Sequence, residues 1–184
     1  SKLANSDSVI LWVDALGAEW LPLLNWTIKA NCDATIKSAS IVQATLPAET
    51  CFNDQWNTAG FPYEKLDKLD KLAHKGVIDE PDYYACIEEQ LTFVTSMAKH
   101  VSRLMEKYHR VIVTGDHGTS RLAARVCHTR DGVIAPANAK IMSHGRYCEL
   151  TSEKTLSIPH VRITKHTDGT QYAVFDNYDH FKAS

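Results

Sequence analysis

Two short β-branched runs constrain this chain more than anything else in it: Val9-Ile-Leu-Trp-Val-Asp14 and Val111-Ile-Val-Thr-Gly-Asp116-His117-Gly118. Each is apolar without polar alternation and ends abruptly in an acid, the second also in a histidine and a glycine. Strands of that pattern are buried on both faces, as parallel strands covered by helices are. Their carboxylates are therefore expected to emerge together at the C-terminal edge of one sheet, where open α/β sheets bind ligands. Two oxygen donors and an imidazole converging on such an edge suggest a divalent metal. Taken alone, Asp14 reads as the cap of the helix that follows. Asp116 and His117, consecutive at a buried strand's end, need partners, and Gly118 beside them permits close backbone approach or a positive φ.

The rest of the chain frames those two runs. After Asp14-Ala-Leu-Gly17 a helix is expected from Glu19 to about Ala30, with Leu21, Leu24 and Ile28 as its apolar stripe and Pro22 in its first turn. Ala34–Val42 alternates and reads as a second strand. Leucines every three residues between Leu66 and Gly76 predict a short helix, which sets Asp70 and His74 one turn apart on one face. Asp79-Glu80-Pro81 opens a long amphipathic helix whose stripe runs through Tyr84, Ile87, Leu91, Val94, Ala98, Val101, Met105 and Tyr108. It leads into the strand at Val111 and reads as a crossover packed on the sheet. Leu122–Cys127 is a further candidate strand, and residues 129–139 read as loop. Ser157–Lys165 and Gln171–Phe175 flank Thr167-Asp168-Gly169, the signature of a hairpin. The order βαβ…αβ…ββ predicts an α/β fold, a mainly parallel central sheet flanked by helices with a C-terminal β-hairpin.

Length and composition set outer bounds. A chain of 184 residues suits one domain over 8–184, with residues 1–7 as linker or vector remnant. Both ends read as cut, so an excised piece of a longer protein is expected. The net charge of −2 provides no overall basic field for nucleic acid. Five scattered cysteines without a Cys-x-x-Cys pair, no signal-peptide pattern and no run of membrane-spanning length lead us to expect a reducing, cytoplasmic setting away from membranes.

Several stretches together resemble one known family. Val9–Gly17, Ala44–Asn53, Leu69–Gly76, Val111–Ala123, Ser143–Cys148 and Tyr172–Phe181 resemble, in order, the PglZ domain of the alkaline-phosphatase superfamily, found in bacteriophage-exclusion systems. The string Asp116-His-Gly-Thr-Ser-Arg121-Leu-Ala123 is the most specific part. The resemblance implies an alkaline-phosphatase-like sheet and a metal-dependent hydrolase of phosphoesters. Asp14, Asp116 and His117 would be ligands of one metal, and Thr50 would be the nucleophile, its hydroxyl also set at the metal. Asp70 and His74 resemble ligands of a second metal. The family's later His-Gly-Gly stretch, whose histidine completes that second site, is missing here, and His144 in Ser143-His-Gly-Arg146 is the only similar string. Cys51, beside Thr50, is the stronger intrinsic nucleophile, but no histidine lies nearby in sequence to activate it.

Arg121 and Asn53 are the candidate substrate-binding side chains, Arg121 by bidentate clamping of phosphate oxygens and alternatively as a surface ion pair. Oxygen and nitrogen ligands without thiolate suit Zn2+, with Mn2+ or Mg2+ as alternatives. The family's defence setting points to a phosphodiester, DNA among the candidates, and to partners within a phage-defence system; that step is analogy. A second class stays open, a catalytically silent domain that scaffolds a defence complex. A plain nucleotide-binding domain is disfavoured, because no GxGxxG or Walker A pattern follows any strand.

Overall fold

The computed structural model describes residues 7–58, 60–75, 83–118, 131–151, 156–177 and 179–183. The chain divides into two compact units, Ser1–Thr119 and Ser120–Ser184. The architecture is mixed α/β: a parallel sheet with helices in the first unit and an antiparallel sheet in the second. No described helix is long and apolar enough to cross a membrane.

In the first unit, β1 (Ser8–Val13) lies between β2 (Tyr63–Leu66) and β3 (Arg110–Thr114), both parallel to it. The position in the sheet explains the sequence. β1 is paired on both edges and covered on both faces, so every one of its residues is buried and apolar save Ser8. β2 is an edge strand with half its residues exposed, and so can be written Tyr-Glu-Lys-Leu, without an apolar run to announce it. Ala34–Val42, expected as the second strand, forms no strand at all. Both edges of β1 are already taken, and Ile41 and Val42 are left largely exposed. Alternation supplies a face but not a partner, and tertiary pairing decides.

Three helices pack together on the β1 face made by Val9, Leu11 and Val13: α1 (Leu21–Asn31), α2 (Lys68–Lys75) and α3 (Tyr83–Met105). α1 starts on Pro22 in its first turn and buries Leu24, Thr27 and Ile28. α2 begins after Leu66, which the strand takes, and inserts Leu69 and Leu72. The stripe of α3 differs from the predicted one. Val94, Ala98 and Val101 are buried as expected, but Leu91 and Met105 are exposed, while Phe93, Met97 and Leu104 go inside. A stripe read at 3.5 residues per turn drifts around a straight helix of 3.6, so its outer positions leave the core.

The second unit holds the sheet β5-β6-β8-β7, formed by β5 (Lys140–Met142), β6 (Tyr147–Leu150), β7 (Val161–Lys165) and β8 (Gln171–Phe175), antiparallel throughout. The predicted hairpin is β7–β8. Gly169 takes a φ of +90° in its turn, and the His166 amide closes the loop on Thr170 at 2.8 Å. Thr129–Ala139, expected as loop, includes the two-residue β4 (Val133–Ile134), which pairs in parallel with β9 (Phe181–Lys182). A two-residue strand carries no period to detect. The candidate strand Leu122–Cys127 lies outside the described residues.

Leu69 is wholly buried among α3 and β1, so Leu69→Ala is expected to lower stability by about 2–5 kcal/mol in urea unfolding. A loss under about 1 kcal/mol would show that α2 does not belong to this core.

Candidate functional site

The in-register pairing of β1 with β3, Trp12 opposite Thr114, brings Asp14 and Asp116 out of adjacent strand tips. Both are buried, Asp14 6% exposed and Asp116 4%. The two tips touch through small residues. A side chain at Gly115 would collide with the carbonyl oxygen of Leu16, and one at Gly118 would stand 3.1 Å from the Cα of Gly17. Close approach, not a positive φ, is thus what Gly118 provides. The chain leaves β1 through Ala15 at φ +63°, a left-handed conformation that an alanine takes only under constraint. The Ala15 amide then donates to Asp116 Oδ1 at 3.2 Å, and the His117 amide to the same oxygen at 2.9 Å.

Thr50 arrives from a separate loop. It sits in a single 3-10 turn, Thr50–Phe52, and its Oγ1 lies 2.8 Å from Asp116 Oδ2, 3.2 Å from Asp14 Oδ1 and 3.3 Å from His117 Nε2. What holds that loop is Asn53. Its Oδ1 accepts from the Thr45 amide at 2.8 Å, and its Nδ2 donates to the carbonyls of Thr45 at 3.1 Å and Glu49 at 3.0 Å. Both amide hydrogens are committed to backbone, and the residue is buried. Asn53, expected from sequence to bind substrate, is a clasp on the loop that carries Thr50, and it also lines the cleft beside the cluster.

Asp14, Asp116 and His117 offer ligand atoms that all lie within 4.8 Å of one another. His117 Nδ1 is 3.1 Å from the Gly118 carbonyl, which can only accept, so Nδ1 carries the proton. Nε2 then faces Asp14 Oδ1, 3.3 Å away, with a lone pair in the neutral ring and as a hydrogen-bond donor once protonated. Two carboxylate oxygens and one imidazole nitrogen, all acceptors, converge with one hydroxyl proton to share. Such a group is one positive charge short. Either an added proton on Nε2 or a cation supplies it, and the set of donors fits a divalent ion.

Charge shifts follow the same logic. Burial raises the Asp14 carboxyl, but hydrogen bonds from His117 and Lys65 override it and hold the group well below the usual carboxylate range. Burial depresses the His117 imidazole, yet the bond to Asp14 and the charge of Asp116 raise it above its ordinary value. Lys65 is the member that sequence reading missed. Its Nζ is 2.8 Å from Asp14 Oδ2 and 4.2 Å over the Trp12 ring. The only sequence signal is the register that puts Lys65 opposite Trp12, which is invisible until β2 is recognised.

The remaining candidates separate. Asp70 and His74 pair with each other at 3.3 Å across one helical turn, as their spacing predicts. His74 is 77% exposed at its side chain, and neither residue joins the three-ligand cluster. Burial, aided by the charges of Asp14 and Asp116, nonetheless raises the Asp70 carboxyl. Cys51 is exposed, and its thiol is pushed up by partial burial and by Glu49 and Asp54, the reverse of an activated thiolate. Arg121 lies outside the described residues, as does the side chain of His144. Beside the cluster opens a cleft of about 290 Å³, walled by Ile41, Val42, Trp56 and Thr114 and floored by Asp116 and His117. It is the expected place for a ligand, at the strands' C-terminal edge. Comparison with protein-family models, with curated proteins and with solved structures returns no match.

Two outcomes are expected. In metal-free protein the His117 imidazole titrates above about 6.5 by NMR, and in Asp14→Asn it moves down, because burial is then opposed only by the charge of Asp116 and the bond to the Gly118 carbonyl. Since its folded-state pKa is raised, the stability it contributes is complete below about pH 6.5 and is lost as pH rises through the folded value. An unchanged titration in Asp14→Asn would contradict the bond. Asn53→Ala removes the buried amide that ties Thr45 to Glu49 and is expected to cost about 1–3 kcal/mol in chemical unfolding, whereas neutral behaviour would mean that the loop stands without its clasp.

Proposed function

We propose that the first unit is a metal-dependent phosphoester hydrolase with Thr50 as nucleophile, built on an alkaline-phosphatase-like sheet of the PglZ type. One observation carries this reading: a loop hydroxyl, Thr50 Oγ1, set 2.8 Å from Asp116 and 3.2 Å from Asp14, with His117 Nε2 at 3.3 Å. A threonine with only a structural task has no need of two buried acids and an imidazole around its oxygen.

Asp14 Oδ1, Asp116 Oδ2 and His117 Nε2 would hold the ion, zinc by ligand type with manganese or magnesium as alternatives. When bound, the ion supplies positive charge that lowers the hydroxyl's pKa and offsets charge on the phosphoryl oxygens. The chain's own residues do the rest. The Asn53 clasp fixes the loop, so that Thr50 Oγ1 is presented at the sheet's edge. Asp116 Oδ2 orients the hydroxyl through their hydrogen bond, and as Oγ1 attacks, its proton passes to solvent, which returns one to the departing ester oxygen. Oγ1 attacks phosphorus in line, the ester oxygen leaves as an alcohol, and a phosphothreonine forms. Water then attacks that phosphorus, releases the phosphate product and restores the hydroxyl. The Gly118 carbonyl keeps the imidazole in the tautomer that turns Nε2 inward.

A phosphodiester substrate, DNA included, a cytoplasmic role in phage defence, and partners from such a system are proposed with it, on the family resemblance. The test is hydrolysis of bis-p-nitrophenyl phosphate and of p-nitrophenyl phosphate with Zn2+ or Mn2+. Thr50→Ala and Asp116→Ala are each expected to lower the rate by at least about a hundredfold. Equal rates from all three proteins would remove the enzyme and favour a silent scaffolding domain.

A further inference from the structure

The two acids of the cluster each have one oxygen turned inward and one turned away, and the outward oxygens are already spoken for. Asp116 Oδ1 accepts two backbone amides, from Ala15 and His117. Asp14 Oδ2 receives the ammonium of Lys65 at 2.8 Å. That ammonium is also fixed from a second direction, 4.2 Å over the ring of buried Trp12, which β1 places opposite Lys65 in the sheet register. A lysine pinned between a carboxylate and an indole face is not a loose surface cation. Its side chain is about one-third exposed, so it is reached by solvent but held by neighbours.

What remains for a divalent ion is one oxygen from each acid and one imidazole nitrogen, a single three-ligand group. A second ion next to it would have to displace Lys65 from Asp14 or the amides from Asp116. The second pair expected from sequence is not part of that group: Asp70 meets the exposed His74 at 3.3 Å and feels the charges of Asp14 and Asp116 without joining their three-ligand cluster.

We propose that Lys65 is the resident second cation of this site: it keeps Asp14 Oδ2, limits the centre to one divalent ion and weakens the hold on that ion by its own charge. The inference rests on the reading of the cluster as a metal centre, and it assigns that centre's capacity. Lys65 acts here as a positioning residue. It holds Asp14 Oδ2, and its charge opposes a cation that shares the same carboxylate.

Calorimetric titration with Mn2+, with ion counting by native mass spectrometry, tests this on the whole chain. Wild type is expected to take one ion. Lys65→Met and Lys65→Gln, which remove the charge, are expected to bind it roughly tenfold more tightly, and Lys65→Arg to stay within about twofold of wild type. A lysine that merely supported the fold would give the opposite sign, because a loosened Asp14 binds metal less well. Circular dichroism on each variant establishes that it is folded. A second ion appearing only in the neutral variants supports the proposal, since Oδ2 is then free. Two ions in wild type, or unchanged or weaker binding in both folded neutral variants, overturn it while leaving the hydrolase reading intact. No ion in any protein overturns both, and an ion only in the neutral variants supports Lys65 as competitor while removing the metal-dependent hydrolase.

Discussion

Parallel, in-register pairing of β1 with β3 is the constraint from which the site follows. Residue-for-residue pairing from Ser8 with Arg110 to Trp12 with Thr114 means that both chains leave the sheet at the same height. Each then carries an acid two positions beyond its last paired residue. Side chains alternate along a strand, so a slip of one residue would send one carboxylate to the opposite face. Burial supports the register: Val9, Leu11 and Val13 fill the helix-facing core, and a slip of one residue would set Ile10 and Trp12 there instead. The hydrophobic core and the polar site are thus two consequences of one alignment.

The polar cluster survives burial because its charges are answered locally. Two carboxylates close together at low dielectric repel strongly, and without compensation such a pair takes up a proton. Backbone amides answer Asp116, Lys65 and His117 answer Asp14, and the Thr50 hydroxyl bridges between the acids. Strain accompanies this, in the left-handed Ala15 that turns its amide onto Asp116. Left-handed alanine costs roughly 1 kcal/mol and persists where surrounding bonds overdetermine it. The glycines follow from the same closeness, since the tips carrying the acids leave no room for a Cβ at Gly115.

Legibility in the sequence varied with how local each cause is. β1, α1, α3, β3 and the β7–β8 hairpin follow from nearby residues: apolar runs, a proline in a first turn, a long stripe, an Asp-Gly turn. β2 did not, because an edge strand half open to solvent needs no apolar pattern, and Ala34–Val42 alternates without pairing with any described strand. The core face of α3 was right at Val94, Ala98 and Val101 and drifted at Leu91 and Met105. At the site, Asp14, Asp116 and His117 were marked by their place at strand ends, whereas Thr50 was only a loop threonine without the family resemblance.

By itself the sequence determined that both apolar runs are strands, and hence that two acids and an imidazole stand where they end. Full burial, expected of both, holds for central β1, while edge strand β3 is only half-buried. Only the tertiary structure decided what the acids and the imidazole meet. Thr50 enters from 36 residues away from Asp14 in sequence, Asn53 turns inward to hold the loop, and Lys65 takes an oxygen of Asp14 from the neighbouring strand. The reason is physical. Burial is written in the periodicity of a single segment, but the partner of a charge is set by strand register and loop path, which depend on pairings between segments far apart in the chain.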